Sequence, residues 1–187
     1  AFARDCRCRG RLPHCRDLHP SFSAGRALFL LTGAARSFVH GVKYHGDRSL
    51  LYDLPRLMNQ SPDFIQHLKG AVLVPVPLHG RRLRERGFNQ SAWIAEAMAS
   101  CSGLGAETEP LLKRIRNTRT QTKLTRVKRM ANLKNAFALA PGKRLDKGRK
   151  FVMIDDVFTT GVTLEACARV LLKADVEQVD VAALGHG

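Results

Sequence analysis

The segment Val152-Met-Ile-Asp-Asp-Val-Phe-Thr-Thr-Gly-Val-Thr163 constrains this chain more than any other. Its apolar start reads as a buried strand that delivers two adjacent carboxylates, Asp155 and Asp156, to the carboxyl edge of a sheet. A short turn rich in Thr and Gly follows, and a helix begins at once, over Val162 to Lys173. Open α/β sheets bind ligands at that edge. Backbone N–H groups across Thr159, Thr160, Gly161, Val162 and Thr163, the three threonine hydroxyls and the positive end of the helix dipole together make an anion site. Gly161 allows close backbone approach or a positive φ. Neighbouring carboxylates repel, so they need hydrogen-bond donors or a cation to stay ionised. A ribose 2′,3′-diol with Mg²⁺ supplies both, and the segment therefore predicts a pocket for a ribose 5-phosphate unit. An apolar run ending in Asp-Asp also fits a Walker B strand, but no GxxxxGK[ST] string accompanies it.

The rest of the chain supplies a parallel α/β frame. Ala71-Val-Leu-Val-Pro-Val76 predicts a buried strand with Pro75 near its end. Phe151 to Ile154 and Val179 to Leu184 predict two more, and Glu109 to Leu112 and Ala136 to Ala140 two short ones. Helices are expected over Gly33–Tyr44, about Leu50–Met58 with Pro55 interrupting, and Phe88–Met98 with Asn89 or Ser91 as cap. Alternating strands and helices argue for a parallel sheet with right-handed crossovers. Residues 1–25 lack periodicity and read as a small cysteine-containing arm ahead of a domain over 26–187.

The charge is unusual. The 187 residues carry 31 Lys+Arg against 16 Asp+Glu, a net of +15. Residues 81–150 alone hold 18 basic and 5 acidic groups, and Lys113 to Lys134 has nine basic residues and no acid. Such self-repulsion suits a visiting polyanion, either a nucleic acid or a phosphorylated metabolite. No Phe, Tyr or Trp lies within 113–134, which argues against a base-stacking strip there. The longest apolar stretch, Ala27 to Ala35, is too short to span a bilayer, and no signal-peptide pattern opens the chain. The first residue is Ala1 rather than Met, so residues upstream are expected. Five cysteines, with Cys101 and Cys167 inside apparent helices as core residues, point to a reducing cytoplasm rather than a disulfide framework. Cys6, Cys8 and Cys15 lack a fourth cysteine. His14 or His19 would complete four ligands, but the one-residue gap suits structural zinc poorly, and zinc is not expected.

The acid pair and its turn resemble the phosphoribosyl-pyrophosphate (PRPP) signature of type I phosphoribosyltransferases. With Val74-Pro-Val-Pro77, Arg81-Arg82, Arg86-Gly-Phe-Asn-Gln90, Gln121, Arg129, Asn132 and Ala136-Phe137, the chain over about 25–187 resembles the ComF/GntX family of competence-associated, phosphoribosyltransferase-like proteins. The resemblance implies a type I phosphoribosyltransferase-like parallel sheet flanked by helices, behind a small irregular N-terminal segment. It implies that Asp155 and Asp156 contact the ribose hydroxyls and that Thr159 to Thr163 cradle the 5′-phosphate. Arg81 and Arg82 would stand near a pyrophosphate loop, and 113–134, with Lys123, Arg126 and Arg129, would be a closing lid. Mg²⁺ would come with PRPP, and residues 1–70 would form the hood that holds the acceptor. The family usually opens with a four-cysteine zinc module, from which Cys6, Cys8 and Cys15 depart. Three functions follow: Mg²⁺-dependent phosphoribosyl transfer to an unidentified acceptor, PRPP binding by a regulator without turnover, and single-stranded DNA binding alongside competence machinery in DNA uptake.

Overall fold

The computed structural model describes residues 20–117, 133 and 135–187. In chain order it contains β1 (Gly25–Leu30), α1 (Gly33–His40), a π-helical turn (Gly41–His45), a 3-10 helix (Arg48–Asp53), α2 (Leu54–Met58), α3 (Pro62–Leu68), β2 (Val72–Pro75), α4 (Gly80–Arg86) and α5 (Gln90–Ala99). Then come β3 (Glu107–Thr108), β4 (Leu112–Arg114), β5 (Phe137–Leu139), β6 (Phe151–Phe158), α6 (Val162–Leu172) and β7 (Val179–His186). Five strands form one parallel sheet in the order β1-β7-β6-β2-β3, and β4 and β5 pair antiparallel as a separate ribbon. This is the type I phosphoribosyltransferase-like α/β architecture that the sequence predicts.

Strand alternation divides the core into two layers. Phe151, Met153, Val179, Val181 and Ala183 pack with Leu164, Cys167, Ala168 and Leu171 of α6 and with Phe137 of the ribbon. Val152, Ile154, Ala182, Leu184 and Leu73 pack on the other face with Val39, Leu54, Phe64, Ile94 and Met98. Both faces are covered, which is why the central strands read as continuous apolar runs.

Several expected elements change shape. The helix over Gly33–Tyr44 ends at His40 and widens into the π-helical turn, closed by Gly46 at φ 63°. A Cβ on Gly46 would stand 2.8 Å from the Phe88 ring, so this turn is seated directly on Phe88. The strand expected over Glu109–Leu112 is divided. β3 ends at Thr108, Pro110 brings no N–H to a ladder, and β4 starts at Leu112 in the ribbon. β6 runs four residues past Ile154 because β7 continues beside it. Three elements lie beyond the sequence expectations: β1, part of which falls in the apolar stretch from Ala27, and the short helices α3 and α4.

The chain joins the body ahead of residue 26. Phe22 is buried against the α6 layer, and the buried Glu165 carboxylate accepts the Ser21 N–H and Ser21 hydroxyl, each at 2.7 Å. Residues 1–19 lie outside the described residues, and with them Cys6, Cys8, Cys15, His14 and His19. No helix among the described residues is long and apolar enough to cross a membrane.

Candidate ribose-phosphate site

β6 pairs with β2 only as far as Pro75 opposite Ile154, but with β7 as far as Phe158 opposite His186. The acid pair therefore lies past the end of one neighbour and within the ladder of the other. A crevice opens where β2 stops, the usual position for a ligand in such a sheet.

Period-two alternation sends the two carboxylates to opposite faces. Asp156 follows Val152 and Ile154 and is buried. Its Oδ1 accepts the Val157 N–H at 2.8 Å, and its Oδ2 lies 2.8 Å from the ammonium of Lys43, on the π-helical turn. Burial opposes charge on Lys43, but the Asp156 charge and hydrogen bond, with Asp155 adding, outweigh it and hold the ammonium above its usual range. Asp155 follows Phe151 and Met153. Its Oδ1 accepts the Asp156 N–H at 2.9 Å and the Ser91 hydroxyl at 3.0 Å. Burial above all, then the Asp156 charge, push Asp155 up to about 7, against the opposing pull of those hydrogen bonds and of Lys43. A carboxyl at that value exchanges its proton at neutral pH, a property common in binding and catalytic sites.

The string Arg86-Gly-Phe-Asn-Gln90 has a local job. Gly87, at φ 82°, ends α4, and Asn89 caps α5 by accepting the Ser91 N–H at 3.1 Å. The Asn89 amide also donates to the Val76 carbonyl at 3.0 Å, and Arg86 donates to Gln90 Oε1 at 2.6 Å. Together these fix α5 against the end of β2 and present Ser91 to Asp155. Phe88 stacks on Trp93 with centroids 4.2 Å apart, while Arg86 and Arg48 lie over the two rings at 5.9 and 5.5 Å.

The turn after the acid pair leads directly into α6, as its sequence implies. Gly161 adopts φ 68°, and a Cβ there would stand 3.0 Å from Phe158 Cζ, so the position requires glycine twice over. No side chain caps α6, and the acid of its first turn, Glu165, is held by Ser21 and by Arg169 at 2.6 Å. The leading amides of α6 are left for an anion.

The expected cations separate. Arg81 stands in an exposed pair with Glu85 at 2.8 Å. Arg82 lies near Arg114, whose β4 backbone bridges to His79. Arg114 sits over the Phe137 ring at 5.4 Å; burial and then Arg82 lower its pKa, against the attraction of Cys167 and Asp155. Lys123, Arg126 and Arg129 lie outside the described residues, as does most of 113–134. Among the described residues no group of three His, Cys, Asp or Glu side chains is arranged to hold a metal ion. Burial raises the thiols of Cys101 and Cys167, which suits core residues rather than nucleophiles.

Lys43, Ser91 and Arg114 join this site without having been singled out for it. Ser91 follows a recognisable motif and Arg114 opens the basic run. Lys43 carried no signal, since its partner lies 113 residues away.

The fold and site define a phosphoribosyltransferase-like protein. The phosphoribosyl transferase domain family matches residues 94–185, which takes in the second half of α5, the acid pair and the turn that follows it. DNA utilization protein YhgH of Salmonella typhimurium is 32% identical over 179 residues, covering 87% of this chain and 77% of that protein. Competence protein F of Haemophilus influenzae is 36% identical over 109 residues, 58% of this chain, and the match spans about half (47%) of that protein's length. Competence protein ComFC of Bacillus subtilis is 28% identical over 153 residues, 79% of this chain and 58% of that protein. The chain belongs to the ComF family of type I phosphoribosyltransferase-like proteins.

Proposed function

We propose that this protein binds PRPP and transfers its phosphoribosyl group to an acceptor, in the cytoplasm. The observation that carries this is one continuous stretch of chain. An acid pair stands where β2 has ended, and six residues past Asp156 an uncapped helix start follows a left-handed glycine. The acid pair serves the ribose hydroxyls, and the amides of 159–163 serve the 5′-phosphate. Arg82 and Arg114 face the diphosphate, whose departure they ease by neutralising developing charge. Mg²⁺ brought in with PRPP would supply charge neutralisation for the diphosphate. No side chain among the described residues is assigned to it.

A second function is favoured by the net charge, by the names of the relatives and by the Arg86–Phe88–Trp93–Arg48 cluster: single-stranded DNA binding. Competition in rising salt separates the two. DNA held by counterion release should lose about 10³-fold in affinity between roughly 50 and 200 mM salt for about six phosphate contacts. PRPP, held by oriented amides and hydroxyls, should lose far less. Tight DNA binding that survives physiological salt, in a protein that ignores PRPP, would reverse the assignment.

A further inference from the structure

Asp156 is committed to the protein: Oδ1 accepts the Val157 N–H, Oδ2 is buried without a geometrically aligned hydrogen bond but lies 2.8 Å from the Lys43 ammonium, and the side chain is only 6% exposed. Asp155 differs: its Oδ1 takes two hydrogen bonds, and it is only part-buried at the crevice. A vicinal diol presented to this pair meets a chemical mismatch. Each hydroxyl donates one proton and also accepts, whereas ionised carboxylates only accept. Lys43 supplies the missing donors. Its ammonium has three protons, its side chain remains 29% exposed, and it lies within electrostatic reach of Asp155 as well as in contact with Asp156.

We propose that Lys43 is a third residue of the sugar-hydroxyl site, with Asp156 as its positioning residue: one hydroxyl of a vicinal pair donates to Asp155 while its neighbour accepts from Lys43. This rests on the ribose assignment above and refines it, because the two acids then do different work. It also places the turn 41–45 in the ligand site, since the backbone that carries Lys43 is seated on Phe88 through Gly46.

The test is calorimetric titration of ribose 5-phosphate and its 2-deoxy and 3-deoxy analogues, without metal, into the wild-type chain, Lys43→Met and Lys43→Gln. Two variants are used because Met leaves the buried Asp156 charge unpaired, whereas Gln can still donate to it. Loss of a hydrogen bond from a charged donor should weaken ribose 5-phosphate by about ten- to a hundredfold in whichever variant stays folded. The penalty should vanish for the deoxy ligand that lacks the hydroxyl held by Lys43, and persist for the other. Equal penalties for both deoxy ligands would show a merely electrostatic or structural lysine and overturn the proposal. Tighter binding by the variants would show that the ammonium blocks the site, and would also overturn it. A wild-type chain that binds none of the three sugars would instead bring down the ribose site itself, and the role of Lys43 with it.

Discussion

Replacing Asp155 by Asn should make the protein more stable and useless at its site. The folded carboxyl ionises at about 7, against an ordinary value of 3.8, chiefly because it is buried and secondly because Asp156 stands beside it. Below about pH 4 the carboxyl is neutral in both folded and unfolded chains. Between about 4 and 7 the folded chain keeps a proton that the unfolded chain has lost, so stability falls as pH rises. Above 7 both are ionised, and the folded state carries the whole cost. At about 1.36 kcal/mol per pK unit the ceiling is about 4 kcal/mol, and partial exposure with solvent screening brings it to about 1–2 kcal/mol. Asn keeps an oxygen for the Ser91 hydroxyl and the Asp156 N–H, so neither of these hydrogen bonds loses its acceptor. Thermal unfolding of Asp155→Asn at pH 8 should show a rise of about 2–8 °C over wild type, shrinking to nothing near pH 4. A variant less stable than wild type at pH 8, or one whose gain is the same at both pH values, would refute the electrostatic account of this carboxyl.

Gly161→Ala should lose about 1–2 kcal/mol from the left-handed backbone alone, more if the Phe158 ring cannot yield, and should weaken inorganic phosphate binding in a titration. Glu165→Gln should cost about 1–3 kcal/mol in denaturant unfolding, because a buried acceptor of the Ser21 and Arg169 hydrogen bonds loses its charge. Chelating Mg²⁺ should sharply weaken PRPP while leaving ribose 5-phosphate unchanged, since the ion belongs to the diphosphate.

How much was legible follows from where the information lies along the chain. The anion turn was readable because strand, acids, glycine and helix start are contiguous, and their geometry is fixed by local backbone rules. The parallel sheet was readable because strands buried on both faces must be apolar throughout. What sequence reasoning could not place were pairings made by topology. Lys43 meets Asp156 only because the π-helical turn and the end of β6 converge across the sheet edge. That Arg81 pairs with Glu85 while Arg82 stands near Arg114 is not advertised by a seven-residue helix with no buried side chain. The opposite facing of Asp155 and Asp156 needed the extent of β6 beside β7, since period-two alternation holds only where the acids lie within the strand.

The central claim is that the acid pair and its turn form a PRPP site. Calorimetry of the folded protein with PRPP and Mg²⁺ tests it most directly, run beside the double variant Asp155→Asn, Asp156→Asn with its fold checked by circular dichroism. Saturable one-to-one binding by wild type, lost in a folded double variant, is the predicted result. A folded double variant that binds PRPP as tightly as wild type would contradict the assignment, as would a wild-type chain that gives no heat at all.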